Sequence, residues 1–205
     1  MCEVKIIRKS DFKISQWSGG TTTQLLIYPE GSEYSERNFK WRLSSAKVEV
    51  EQSIFTHLEG ISRIIMIIDG EIRLEHQGHH TAVLKQFDQD SFKGDWTTLS
   101  FGKVTDFNLM MSEGCTGKLE AILLKENSIA KIVLNGVKEN YKYAAEIFYA
   151  AKGNVSFRLS NQNEQIHLNE GDMVSIVKTT DKDKQQIEMC TKDERTALIR
   201  STIYY

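Results

Sequence analysis

Ile64-Ile65-Met66-Ile67-Ile68-Asp69-Gly70-Glu71-Ile72-Arg73-Leu74 joins an apolar run to a segment in which Ile72 and Leu74 alternate with charged residues, with Asp-Gly between. An apolar run of five has the length of a buried strand, and strict alternation marks a strand with one wet face. Asp69-Gly70 between them predicts a tight type I′ hairpin. Outward from this stretch the same texture continues: short runs rich in Ile, Val, Phe, Thr and Tyr, punctuated by Gly, Asn, Asp and Ser. Sixteen such runs are recognisable, eight in each half. No long stretch has a 3.6-residue period; Ser10–Ser18 and Ser32–Asn38 hold a helical turn at most. The chain reads as all-β.

The opening pattern returns. Ile147-Phe148-Tyr149-Ala150-Ala151-Lys152-Gly153-Asn154-Val155-Ser156-Phe157 is again an apolar strand, a Gly turn and an alternating strand, with the glycines 83 positions apart (153 − 70). Acidic turns follow both, Phe87-Asp88-Gln89-Asp90 in the first half and Asn169-Glu170-Gly171-Asp172 in the second. A strand–Gly–strand followed by an acidic turn resembles the cupins. Two tandem cupin (jelly-roll) barrels, residues 1–115 and 116–205, packed as one unit, account for 205 residues at about eight strands per barrel. Metal-binding cupins carry His-x-His, then Glu, then a further His. Here His57 and His167 stand alone, while His76, His79 and His80 flank Gly78 and read as a solvated polar turn. Adjacent His79 and His80 point to opposite faces of a strand, which is poor geometry for one ion. No metal site or cofactor is expected.

Composition excludes other classes. Against 26 Lys and Arg stand 28 Asp and Glu, a net charge of −2, without the basic excess of nucleic-acid domains. No window approaches the ~18 apolar residues of a spanning helix, and Met1-Cys2-Glu3-Val4-Lys5 has no apolar signal region. Cys2, Cys115 and Cys190 form no Cys-x-x-Cys and suit reduced thiols. At an average usage of ~5% about ten prolines are expected, and Pro29 is the only one, so Pro-rich linkers are excluded. The expectation is a cytoplasmic protein with no nucleic-acid or membrane partner.

The chemistry-bearing residues cluster in the first half. In Trp41-Arg42-Leu43-Ser44-Ser45-Ala46, period two puts Arg42, Ser44 and Ala46 on one face and Trp41, Leu43 and Ser45 on the other. Arg63 enters the most apolar strand, and Asp106, Asn108 and Met110 share a face of another. A guanidinium fork matches a carboxylate bidentately, so Arg42 and Arg63 with nearby hydroxyls and amides make a carboxylate pocket. Those hydroxyls and amides would supply its hydrogen bonds, and Trp17 or Trp41 an apolar wall. The other reading is structural: the arginines pair with Asp95, Asp106 or Glu59, the tryptophans pack the core, and Asp106 and Asn108 bridge strands.

These segments resemble the HutD/Ves family of bicupins. Trp17, Gly20 and Thr22 match the family's W-x-x-G-x-T; Trp41, Arg42, Ser44 and Ala46 match W-R-x-S-x-A. Gly60, Arg63 and Gly70 match G-x-D-R and the glycine ending the next strand. Phe92 and Gly94 match F-x-G, and Asp106-Phe107-Asn108 with Met110 matches D-F-N-x-M. Ser62 and Gln24 stand where the family usually has acidic residues. The resemblance implies a bicupin that binds a small carboxylate such as formylglutamate or urocanate and regulates histidine or amino-acid catabolism. The ligand-binding residues expected are Arg42, Arg63, Trp17, Thr22, Trp41, Ser44, Asp106 and Asn108, with none catalytic. Two alternatives stand beside it: a metal-free isomerase or lyase using Asp106 or His57 as acid/base, and an interaction protein whose strand edges pair in a homodimer.

Overall fold

The computed structural model describes residues 2–160, 165–179 and 185–205. Nineteen strands are defined among them, with one 3₁₀ turn at Lys9–Asp11. After β1 (Cys2–Ile7) come β2 (Lys13–Trp17), β3 (Gly20–Tyr28), β4 (Trp41–Val48), β5 (Gln52–Ile54) and β6 (Ser62–Gly70). Next are β7 (Ile72–His76), β8 (Thr81–Leu84), β9 (Gln89–Lys93), β10 (Thr98–Phe101) and β11 (Val104–Met111). The remainder are β12 (Thr116–Lys125), β13 (Ile129–Val133), β14 (Ala144–Lys152), β15 (Val155–Leu159), β16 (Gln165–Leu168), β17 (Met173–Lys178), β18 (Gln186–Cys190) and β19 (Arg195–Tyr204).

The chain forms two compact units, Phe12–Cys115 and the combination of Met1–Asp11 with Thr116–Tyr205. Each is an antiparallel double sheet. The first has strand orders β2-β3-β4-β11-β6-β9 and β5-β10-β7-β8; the second has β1-β17-β14-β19-β12 and β13-β18-β15-β16. Raising each label from β4 to β11 by eight converts the core of the first unit into that of the second, strand for strand. The internal repeat is therefore a duplicated eight-stranded jelly roll. The first copy is extended by the β2–β3 hairpin along β4, and the second by β1 along β17.

Two expectations are corrected here. The first eleven residues do not belong with the N-terminal barrel. All six residues of β1 pair with β17, from Cys2 opposite Lys178 to Ile7 opposite Met173. Asp172 fastens the end of this strand, accepting hydrogen bonds from Arg8 Nη1 at 2.8 Å and the Lys9 backbone N–H at 2.9 Å. Asp69-Gly70 is also not a hairpin turn. β6 pairs with β11 and β9, whereas β7 pairs with β10 and β8, so Gly70 is a corner at which the chain leaves one sheet for the other. Gly153 makes the same passage from β14 to β15. The repeated Gly motif thus encodes a change of sheet.

In the first unit Ile65 and Ile67 of β6 meet Ile72 and Leu74 of β7 in a core with Val48, Leu84, Phe92 and Val104. Each such side chain contributes ~1.5–3 kcal/mol on burial. Leu43, Met66, Phe107 and Leu109, on the opposite face of their strands, are buried as well. Burial of both faces explains why the Ile64–Ile68 run is continuously apolar instead of alternating. Gly20 shows what the W-x-x-G motif requires: a Cβ there would strike the Lys47 carbonyl, and φ is +148°. Without a side chain, β3 can start hard against β4.

Candidate functional site

Strand register assembles the site. Thr22, Ala46 and Asp106 lie in one row across β3, β4 and β11; Gln24, Ser44 and Asn108 lie in the next. In the third, Met110 of β11 has Arg42 opposite it on β4 and Arg63 opposite it on β6. Residues in register share a face, so the two arginines stand two strand spacings apart, roughly 10 Å at Cα, with both side chains on the Met110 side. On β6 this is also the face of Ile65 and Ile67, hence the sandwich interior. The interior is apolar at one end and polar at the other. The polar end holds a cavity of about 270 Å³, open to solvent and lined among others by Trp17, Thr22, Tyr34, Arg42, Ser44, Phe55, Arg63, Asp106 and Asn108.

Both guanidinium groups are buried, with residue exposures of 4% for Arg42 and 6% for Arg63. Arg42 donates from Nε to Gln24 Oε1 at 3.0 Å and from Nη1 to Ser44 Oγ at 2.9 Å, and lies 4.4 Å from the centre of the Tyr34 ring. Arg63 donates from Nη2 to Asn108 Oδ1 at 2.9 Å and sits over Phe55 and Phe92, at 4.7 and 5.0 Å. Its buried Nε–H has no hydrogen-bond partner among the described residues. Burial pushes the Arg63 pKa down to about 10 and also lowers that of Arg42; Arg63 remains charged at neutral pH. Among the described residues neither guanidinium has a carboxylate within ion-pair distance. Direct ion pairs with Asp95, Asp106 or Glu59 are not made; Asp106 acts on Arg63 at longer range, through Asn108. Gln24, in place of an acidic residue, orients Arg42 without neutralising it. Ser62 instead accepts from Lys93 Nζ at 3.1 Å and makes no bond to Arg63.

Asp106 completes the polar end. Its Oδ1 accepts from Asn108 Nδ2 at 2.9 Å, so Asn108 links it to Arg63. Burial raises the Asp106 pKa from an ordinary 3.8 to about 6, despite the opposing pull of Asn108, Arg63 and the Ala46 backbone. Because the folded state holds this proton more tightly than the unfolded chain, protonation favours folding. That contribution is complete below pH 3.8 and is lost as pH rises through about 6. With Arg42 and Arg63 charged, the three side chains sum to about +1 above this pH and +2 below it. A bound carboxylate is therefore expected to tighten several-fold between pH 7.5 and 5.5, a Coulombic effect of about 1 kcal/mol at the effective dielectric of a protein site. Asp106→Asn should bind with the low-pH affinity throughout. Calorimetric titration at several pH values checks this, and a parallel pH dependence in both proteins would contradict it.

Seven of the eight site residues expected from the sequence line the cavity: Trp17, Thr22, Arg42, Ser44, Arg63, Asp106 and Asn108. Trp41 does not. It stacks on Tyr28 with ring centroids 5.7 Å apart, as it must, because it adjoins Arg42 on the strand and faces the other way. His57 is exposed and outside the cavity lining. His76, expected in a solvated turn, is buried at the end of β7, with Nδ1 2.8 Å from Thr98 Oγ1. Sequence reasoning missed Tyr34 and Phe55, the rings under the guanidinium groups. Tyr34 lies between β3 and β4 and Phe55 directly after β5, where no periodicity singles them out.

The second unit carries the counterpart of this site in closed form. Arg63 stands seven residues before Gly70, and Glu146 seven before Gly153. Register makes Arg200 the counterpart of Asn108: Ile65 faces Asn108, and Phe148, 83 positions later, faces Arg200. Glu146 is fully buried and accepts from Arg200 Nε and Nη2, both at 2.8 Å, as well as from Asn135 and Thr202. Here the arginine has its carboxylate within the chain.

The HutD family profile matches residues 9–197. This chain belongs to the HutD family. Protein Ves of Citrobacter koseri is 30% identical over 109 residues, covering 51% of this chain and 54% of Ves. The chain thus spans about half the length of the curated relatives it matches. A conserved protein of unknown function from Pseudomonas aeruginosa PAO1 superposes with TM-score 0.79 at 22% identity, covering 98% of both chains. HutD from Pseudomonas fluorescens SBW25, determined in a formate condition, gives 0.68 at 19% identity, over 97% of this chain and 98% of that one. Oxalate decarboxylase from Lactobacillus farciminis, in complex with formate, gives 0.70 at 8% identity, over 96% and 85%. At these identities the likeness concerns the fold, a cupin jelly roll in each unit.

Proposed function

We propose that the cavity of the first barrel binds a small carboxylate, and that the protein uses this binding to regulate histidine or amino-acid catabolism instead of catalysing a reaction. The observation that carries the reading is the pair of buried arginines with no carboxylate of the described residues in ion-pair contact, Asp106 reaching Arg63 only through Asn108. Taking a guanidinium out of water is unfavourable unless a counter-charge compensates it, and a planar carboxylate suits its fork. Arg42 and Arg63 would hold the anion, with Thr22, Ser44 and Asn108 supplying hydrogen bonds and Trp17, Tyr34 and Phe55 the apolar walls. Membership of the HutD family supports the metabolic setting, and the formate condition of the Pseudomonas fluorescens relative is compatible with a carboxylate site. Formylglutamate- and urocanate-like molecules are the ligands favoured.

Thermal-shift titration with formylglutamate, urocanate, glutamate and formate tests the proposal. At least one should raise the midpoint of the wild type at millimolar concentration, and Arg42→Ala should abolish the rise. No shift with any of them would refute a carboxylate site. A second reading rests on Asp106, whose raised pKa near Arg63 suits an acid/base residue in a metal-free isomerase or lyase. Conversion of a bound carboxylate, lost in Asp106→Asn, would select it.

A further inference from the structure

A second cluster in the first unit lies outside this cavity's lining. At the end of β7 the chain turns through Gln77, Gly78 (φ +77°) and His79, so that the His76 N–H donates to the His80 carbonyl at 2.9 Å and the two imidazoles lie 4.6 Å apart. Asp90 of β9 faces both. Its Oδ2 is 2.9 Å from His76 Nε2 and 2.9 Å from His80 Nε2, and its Oδ1 is 3.1 Å from His80 Nε2. Among the described residues this is the one group of three His, Cys, Asp or Glu side chains whose donor atoms all lie within 4.8 Å of one another.

We propose that His76, His80 and Asp90 form a binding site for a first-row divalent cation of the zinc type. Two imidazole nitrogens and one carboxylate are a donor set that suits this class, leaving a fourth position for water. Tetrahedral bonds of ~2.0–2.2 Å put neighbouring donor atoms roughly 3.3 Å apart, so each imidazole nitrogen, now 2.9 Å from Asp90 Oδ2, has to draw back only slightly from the carboxylate. The surroundings fix the ligands in advance. His76 Nδ1 lies 2.8 Å from Thr98 Oγ1; donation to that hydroxyl leaves the Nε2 lone pair facing Asp90, the role outer hydrogen bonds play for metal-bound histidines. Phe92 and Trp96 hold the His76 ring, with centroids 4.6 and 5.7 Å away. Asp90 Oδ1 also accepts from the Ser91 N–H at 2.9 Å. The His80 side chain is 40% exposed, so an ion can reach the cluster from solvent.

The geometry differs from the His-x-His pattern of metal cupins: the pair here is His-x-x-x-His across a turn. Adjacency of His79 and His80 is irrelevant, because His79 instead stacks on Trp96 at 3.7 Å. The test uses the full chain without an affinity tag, stripped with EDTA and titrated with cobalt(II) by visible absorption and with zinc by competition against a chromophoric chelator. One equivalent should bind. His80→Ala and Asp90→Asn should each weaken binding at least tenfold, and Thr98→Val ten- to a hundredfold. His57→Ala should leave it unchanged. Partly exposed His80 and the isosteric Asp90→Asn keep folding out of question, which circular dichroism of the stripped proteins verifies. A chain that binds neither ion, or binds with the same affinity after His80→Ala, would overturn the site and leave a hydrogen-bonded His–Asp–His cluster.

Discussion

Arg63→Met is expected to abolish the carboxylate response while raising the melting temperature. Removing one partner of a buried, hydrogen-bonded charge pair costs ~2–5 kcal/mol, a loss of roughly thirtyfold to several thousandfold in affinity. Stability should move the other way. Burial that holds the Arg63 pKa down at about 10 is unfavourable to the folded state by on the order of a few kcal/mol. Methionine keeps an apolar stem between Phe55 and Phe92 without the charge. Loss of the bond to Asn108 returns part of the gain, leaving a net stabilisation of about 1–2 kcal/mol, roughly 2–6 °C. Differential scanning calorimetry with and without a carboxylate reads both effects. A variant several degrees less stable that still responds to ligand would mean that Arg63 is a strut of the barrel.

The second large effect lies in the other unit and has the opposite sign for the same kind of substitution. Arg200→Met leaves Glu146 fully buried with its bidentate partner gone, which should cost ~3–5 kcal/mol, about 10 °C. Replacing both, as Glu146→Leu with Arg200→Met, should restore stability to within about 1 kcal/mol of the wild type or exceed it, because a well-packed apolar pair carries no desolvation penalty. Urea denaturation of the single and double variants closes the cycle. If Arg200→Met is neutral, Glu146 and Arg200 do not form the closed counterpart of the ligand site.

The contrast between the two units was only partly legible in the sequence. All eight strands of the second copy coincide with apolar or alternating runs, β15, β16 and β18 burying one face and β14, β17 and β19 both. β2 carries no apolar rhythm because all five of its residues are exposed, β5 is three residues without a period, and β9 reads as part of an acidic turn because Phe92 is its one buried residue. Apolar alternation says which face of a strand is buried but not which sheet the strand joins, so Asp69-Gly70 looks like a hairpin in the sequence and is a corner in the fold. The site was legible where motif and period agreed, as at Arg42, Ser44, Asp106 and Asn108. At Trp41 motif and period disagree, and the structure follows the period. Tyr34 and Phe55 reach the arginines from loops, and the Glu146–Arg200 pair joins residues 54 apart; neither contact leaves a local signal.

Isothermal titration of the full chain with formylglutamate, urocanate, glutamate and formate near pH 6 tests the central claim most directly. One carboxylate should bind per chain, in the first barrel alone, with the signal lost in Arg63→Met and retained in the Glu146→Leu/Arg200→Met double variant. Absence of binding by the wild type at millimolar concentration, or an affinity unchanged by Arg63→Met, would contradict the account.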